Sequence, residues 1–306
     1  MRIALVGFGI QGKKRLKVAG SDIAFIVDPI SPFANFKKIQ EVPIDKYEAA
    51  YVCTPDKEKF PIIRYLIKNN KHVLCEKPLY LDTTNRFVDF QNQVNRKKIV
   101  LYTAYNHRFE PSIMKTKEII QSDILGEIYS VKLFYGNGTA RDILNSVWRD
   151  SGSGVALDLG SHLFDLIDYF FGSKKIDFKV CALDKFETKA PDHVIFVSTN
   201  SNPRIELQAT FCMWKNTFTC DILGSRGSLH LNGLTKWEKS SLILRTRVLP
   251  SGKPQEKKIT YKKGDLTWKA EYDHFNRLIN KPKKVDLSKD KVVFTKLAKM
   301  RAMNLK

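Results

Sequence analysis

Gly7-Phe8-Gly9-Ile10-Gln11-Gly12 follows the apolar run Ile3-Ala4-Leu5-Val6 and precedes a helical stretch. This spacing suits a dinucleotide pyrophosphate: the glycines permit a tight turn and close backbone approach, and the helix amino terminus offers unsatisfied N–H groups and positive dipole. Asp28 ends the next apolar run, about 20 residues on, where a carboxylate binds the adenosine ribose hydroxyls. No Arg follows Asp28 closely to take a 2′-phosphate, so NAD is favoured over NADP.

A second candidate is Cys75-Glu76-Lys77-Pro78, at the carboxyl end of a strand-like run. Open α/β sheets bind ligands at that edge. Pro78 fixes the turn and aims Lys77 into a cleft, where an ammonium group could hydrogen-bond a reacting oxygen. The third candidate lies in Gly154 to Asp165. A helix beginning near Asp158 places Asp158, His162, Asp165 and Tyr169 on one polar stripe, opposite Leu159, Leu163, Leu166, Ile167 and Phe170. Imidazole titrates nearest neutrality, so His162 beside a carboxylate is a natural general base for an alcohol proton. Tyr135, Asn137, Arg141, Trp148 and Arg149 precede this helix in a loop expected to face substrate, where Arg grips anions and Trp offers a stacking face. No Cys or His has metal-ligand spacing; His193, His230 and His274 read as structural, and the five cysteines as mostly buried, reduced thiols.

The elements that must position these residues follow from periodicity. Arg2 to Val6, Ile23 to Val27, Ala49 to Cys53, His72 to Cys75 and Ile99 to Tyr105 read as strands, and Pro61 to Asn70 and Thr83 to Lys97 as amphipathic helices. This is the α/β pattern of a Rossmann-type doubly wound parallel sheet. Pro32 and Pro43 leave little room for a full crossover between Pro29 and Asp45. From Gly126 the signal changes to alternating strands: Ile128 to Tyr135, Phe178 to Ala182, His193 to Thr199, Ile205 to Met213, Phe218 to Leu223 and Leu242 to Val248. The helix Asp158 to Phe171 interrupts them, and Trp268 to Ile279 and Asp290 to Asn304 close the chain, with Ser288 a possible cap. The expectation is residues 1–122 as the dinucleotide-binding domain and 123–306 as an α+β domain with a large, mainly antiparallel open sheet, its last helix returning to the first domain.

The 306 residues are 43% hydrophobic and 27% charged, a globular balance. No apolar run reaches the roughly 20 residues of a membrane span, and the first strand begins too early for a signal sequence, so a cytoplasmic location is expected. Lys and Arg exceed Asp and Glu by 52 to 32, giving +20. The lysines are dispersed and not interleaved with aromatics, which argues against a specific nucleic-acid site and fits a solvated basic surface or steering of an anionic substrate.

Taken together, these motifs resemble the glucose-fructose oxidoreductase, inositol dehydrogenase and rhizopine-catabolism group, Gfo/Idh/MocA. Its features match at Gly7 to Gly12, at Thr54-Pro55, at Lys71 to Pro78 and at Asp158 and His162. The resemblance implies that Lys77, Asp158 and His162 are the catalytic set, that Glu76 lies near the nicotinamide ribose, that Thr54, Pro55 and Asn106 contact the cofactor, and that the open sheet makes a homodimer or homotetramer. Lys59 stands where the family often has a histidine. The segment Tyr135 to Arg141 with Trp148-Arg149-Asp150 is similar to members of surface-polysaccharide and lipid A sugar pathways. That implies a nucleotide sugar such as UDP-N-acetylglucosamine, oxidised at its 3-hydroxyl, with a free sugar or inositol as alternative. A non-catalytic NAD sensor is the other class, against which the retained Lys77, Asp158 and His162 argue.

Overall fold

The computed structural model describes the chain apart from residues 147–148, 173–175, 282 and 304–306 and the side chains of 299–303. It divides into two compact units, Met1–Asn106 with Trp268–Thr295, and His107–Thr267 with the chain from Lys296 onward. The division therefore falls at Asn106, ahead of the boundary at 122 read from the sequence, and a later segment rejoins the first unit.

The first unit is a parallel sheet of β1 (Ile3–Val6), β2 (Ile23–Val27), β3 (Ala49–Val52), β4 (His72–Glu76) and β5 (Leu101–Ala104), in the order β2-β1-β3-β4-β5. The period of two sends Ile3, Leu5, Tyr51 and Leu74 into one core and Ala4, Val6, Val52, Val73 and Cys75 into the other. On the second face, α2 (Asp56–Lys68) and α3 (Asn85–Lys97) supply Ile63, Leu66, Ile67, Phe87, Phe90 and Val94; α1 (Ile10–Ala19) packs on the first. Each such side chain contributes about 1.5–3 kcal/mol by leaving water. Pro61, expected to open α2, lies inside it. The helix starts instead at Asp56, whose carboxylate and that of Glu58 suit the positive end of the helix dipole. Between β2 and β3 the usual extra strand is reduced to one bridge, Val27 to Phe36, followed by short 3₁₀ turns at Ile39–Glu41 and Ile44–Lys46.

In the second unit, α4 (Pro111–Gln121) precedes β6 (Ile128–Gly136), and α5 (Ala140–Leu144), a π-helical turn (Ala156–Gly160) and α6 (Ser161–Phe171) follow. The sheet adds β7 (Phe178–Asp184), β8 (His193–Ser198), β9 (Arg204–Thr210), β10 (Thr217–Gly224), β11 (Gly227–Asn232), β12 (Ser240–Thr246) and β13 (Gln255–Tyr261). Its order is β13-β12-β11-β10-β6-β9-β8-β7, with β6 and β9 parallel and the other neighbours antiparallel. Two of these strands were not expected. β11 is short and bracketed by turn residues, while β13 is a mostly exposed edge strand, where Lys257 and Lys258 discourage pairing with another chain. Cys181 is exposed, against the expectation for the cysteines, because the alternation of the edge strand β7 places it on the outer face with Lys179. Phe164 of α6 packs on Phe178 and Phe196, with ring centroids 5.3 and 4.8 Å away.

The returning segment is α7 (Thr267–Asn280) and the first half of α8 (Ser288–Met303). Phe275 of α7 is fully buried 5.7 Å from the ring of Tyr51, and Phe294 of α8 packs against Tyr80 and Phe87. The segment between is tied down by Asn95, whose side chain both donates to Val285 O and accepts from Val285 N.

Candidate active site

The glycine turn has the shape that its spacing demands. Gly7 adopts φ +92°, and a Cβ there would lie 2.7 Å from Cys53 O. A Cβ on Gly12 would meet Gly7 O at 2.1 Å, so that glycine lets α1 pack against the turn, whereas nothing lies within 4 Å of the corresponding point on Gly9. The space over Gly9 and an α1 amino end without a side-chain cap form a cradle open to a diphosphate. Ile10 and Gln11 are exposed at that end. Asp28 organises the neighbouring loop: Oδ2 accepts from Phe8 N at 2.7 Å, and Oδ1 from Ile30 N and Ser31 N at 2.9 and 2.8 Å. Partial burial alone would raise its pKa, but these three N–H donors outweigh it and hold the carboxyl below its usual range. Thr54, ahead of Pro55 at the end of β3, has a buried Oγ1 without a hydrogen-bond partner among the described residues. The glycine cradle, an ionised Asp28 and that unsatisfied hydroxyl all fit a dinucleotide.

The Glu76-Lys77-Pro78 turn is held from beneath. Lys59 is buried, paired with Asp56 at 2.7 Å, and its Nζ donates to Glu76 O and Pro78 O, each at 2.8 Å. Its substitution for histidine thus puts a cation on the backbone of the turn. Burial would lower the Lys59 pKa, but Asp56 outweighs it and keeps the group cationic. Lys77 is half-buried, and the Lys77–Pro78 peptide is cis. Arg15 of α1, almost wholly buried, donates from Nε to Glu76 Oε1 at 2.8 Å and pairs with Glu271 of α7 at 2.7 Å.

Burial pushes the Glu271 carboxyl up to about 7, with Arg15 pulling against it and Glu76 adding to the rise. A folded pKa above the unfolded value of about 4.3 means that protonated Glu271 contributes stability in full below the unfolded pKa, and that this is lost as pH rises through about 7. Glu271→Gln stays neutral. Its stability relative to the parent should therefore improve between about pH 5 and 8. Urea midpoints across that range check this, and a flat or opposite difference refutes it.

In the second unit, His162 of α6 is buried and lies face to face with His107, ring centroids 4.0 Å apart and planes inclined by 15°. Lys236 Nζ contacts His107 Nε2 and sits 4.4 Å over the Trp237 ring. The loop carrying Lys236 is anchored on buried Glu110, whose carboxylate accepts from Thr235 N and Oγ1 at 3.1 and 2.7 Å. Tyr135 of β6 completes the cluster, its ring 5.9 Å from His162 and 5.5 Å from Trp237. Burial, with Asp158 adding, raises the Tyr135 pKa, so the phenol stays protonated. Asp158 belongs to the π-helical turn rather than to α6 and takes Arg149 Nη2 at 3.4 Å. Such wide turns recur at functional sites. Asp165 is no solvated member of a stripe: it is buried and accepts Arg108 Nε at 2.8 Å.

Among the other residues singled out, Asn106 is buried at the start of the 3₁₀ turn Asn106–Phe109, and Arg141 is exposed on α5. Trp148 lies outside the described residues. His230 has a carboxylate that spacing along the chain did not reveal: Asp221, from the adjacent strand, lies 2.7 Å from its Nδ1. Among the described residues no group of His, Cys, Asp and Glu could hold a metal, and no helix is long and apolar enough to cross a membrane. Arg15, Glu271 and Lys236 were missed by sequence reasoning. For Arg15 the available signal was a charge at a position of α1 otherwise facing the core.

Residues 1–105 match the family model described as "Oxidoreductase family, NAD-binding Rossmann fold", and residues 113–230 the "GFO/IDH/MocA C-terminal domain". Over 195 residues the chain is 26% identical to the myo-inositol 2-dehydrogenase of Thermotoga maritima, a match covering 57% of this chain and 56% of that protein. The fold is shared with levoglucosan dehydrogenase in complex with NADH and L-sorbose, at TM-score 0.81 and 19% identity over 99% of this chain and 97% of that one. It is shared also with the UDP-N-acetylglucosamine 3-dehydrogenase GnnA from Acidithiobacillus ferrooxidans, at TM-score 0.80 and 18% identity over 99% and 96%. The chain belongs to the Gfo/Idh/MocA oxidoreductase family and carries that family's NAD-binding Rossmann domain.

Proposed function

We propose that this protein oxidises a secondary hydroxyl of a sugar to a ketone with NAD, and that His162 accepts the hydroxyl proton. The observation that carries the reading is the buried His162–His107 stack with Lys236 against His107, ionisable groups that a purely structural core would not gather. Bound NAD supplies the hydride acceptor. His162 takes the proton as hydride leaves the same carbon, and Lys77 hydrogen-bonds that oxygen as its negative charge develops. Asp158, paired with Arg149, orients the catalytic groups. Asp28, the Gly7 to Gly12 turn, Thr54, Pro55, Glu76 and Asn106 bind the cofactor.

Within this reading the substrate is a nucleotide sugar such as UDP-N-acetylglucosamine, oxidised at its 3-hydroxyl in lipid A or surface-polysaccharide synthesis. Arg141 on α5 and Arg149 beyond it suit a diphosphate, the +20 charge would steer one inward, and the fold likeness to GnnA agrees. A free sugar or inositol is the second reading. It is favoured by the inositol dehydrogenase relative and the levoglucosan dehydrogenase neighbour. Nucleotide sugars, free sugars and inositols, each offered with NAD and followed by the absorbance of reduced nicotinamide, decide between them. Turnover on UDP-N-acetylglucosamine at least tenfold above every uncharged polyol is expected; the reverse order would establish the second reading, and no turnover on any hydroxyl would favour an NAD sensor.

A further inference from the structure

We infer that Arg15 and Glu271 are a positioning pair that sets the Glu76 carboxylate for the nicotinamide-riboside end of NAD. The inference rests on the reading that Glu76 faces the cofactor. Arg15 is 2% exposed, and a buried guanidinium is costly unless its partners are well placed. Its Nε donates to Glu76 Oε1 at 2.8 Å, and Nη2 makes an ion-pair contact with the same oxygen at 2.7 Å. Its remaining terminal nitrogen, Nη1, lies 2.7 Å from Glu271 Oε2, an ion-pair contact without hydrogen-bond alignment. The Trp268 ring covers the guanidinium at 4.4 Å and limits movement out of its plane.

The consequence lies on the other oxygen. Glu76 Oε2 has no partner among the described residues, its side chain keeps 12% exposure, and it stands at the carboxyl end of β4. With Oε1 held by one hydrogen bond and the ion pair, Oε2 is left as an acceptor at the sheet edge where a ligand hydroxyl would lie. Glu271 secures Arg15 from the far side and is itself faced by Tyr102, whose hydroxyl is 3.4 Å away, and by Tyr51. Sequence spacing could not have joined these residues, which come from α1, the end of β4 and α7.

Calorimetric titration of the full chain with NAD and with ADP, which lacks the nicotinamide riboside, tests the inference. Glu271→Leu should weaken NAD about tenfold while ADP stays within about twofold, and Glu271→Gln, which keeps an acceptor for Arg15, should restore most of the loss. Arg15→Lys retains the buried charge but cannot span both carboxylates, so it should show the same selective loss; it carries the test if Glu271→Leu does not fold. A folded Glu271→Leu or Arg15→Lys that binds NAD as the parent does, or that loses NAD and ADP equally, overturns the inference. Glu76→Gln separates the two levels: if it leaves NAD affinity unchanged, the assignment of Glu76 to the cofactor falls, and the positioning role with it.

Discussion

Under the proposed mechanism His162→Ala should lower turnover by about 10²-fold or more while leaving NAD affinity within a few-fold, because there the imidazole serves the substrate proton and not the adenosine or pyrophosphate. Lys77→Ala should do the same. Under the proposed mechanism both groups act on one oxygen in one transition state, so the double variant should be scarcely slower than the worse single one. The check is steady-state kinetics on the substrate that the panel identifies, with calorimetry for NAD. A folded His162→Ala protein of near-normal turnover would remove histidine from the mechanism and leave Lys77 or solvent as the base.

The largest effect on stability is expected from Arg15→Met. This cation stands between two carboxylates in the core of the first unit, and removing one partner of a buried ion pair typically costs about 3–5 kcal/mol. The loss is more than one contact, since Glu76 and Glu271 would then face each other without a cation. Glu271 would have to take up a proton, so the damage should be greatest above neutral pH and smaller in mild acid. Adding Glu271→Gln to Arg15→Met should recover part of the stability, because one buried carboxylate is then gone. Urea denaturation followed by circular dichroism, with the parent, both single variants and the double closing a cycle, measures the coupling. Additive losses would mean that the two residues act separately and that the triad is not a unit.

Much of the first unit was legible because its signals are local. The glycine turn is encoded by steric exclusion between neighbours, as the clash of a Gly12 Cβ with Gly7 O makes plain, and a strand followed by that turn and an acid admits few other readings. The shortened crossover was legible from Pro32 and Pro43 for the same reason: a proline acts on its own φ and its own N–H. Local signals failed where burial or pairing decides. β13 carries a lysine-rich sequence that reads as a loop and is a strand because β12 offers it a ladder of hydrogen bonds. Cys181 looks like a core residue and lies on the outer face of the edge strand β7 with Lys179.

The candidate site divides along the same line. Sequence by itself singled out the glycine turn, the Glu76-Lys77-Pro78 corner and His162 as candidates, since each is a residue type at a fixed offset within one segment. Tertiary structure alone decided that Lys59 would hold the backbone of that corner, that Arg15 would join Glu76 to Glu271 from the far end of the chain, and that His107 and Lys236 would stand behind His162. The physical reason is that the cost of burying a charge is set by what surrounds it in three dimensions. A lysine or arginine on a helix reads as surface until the chain folds carboxylates or carbonyl oxygens around it.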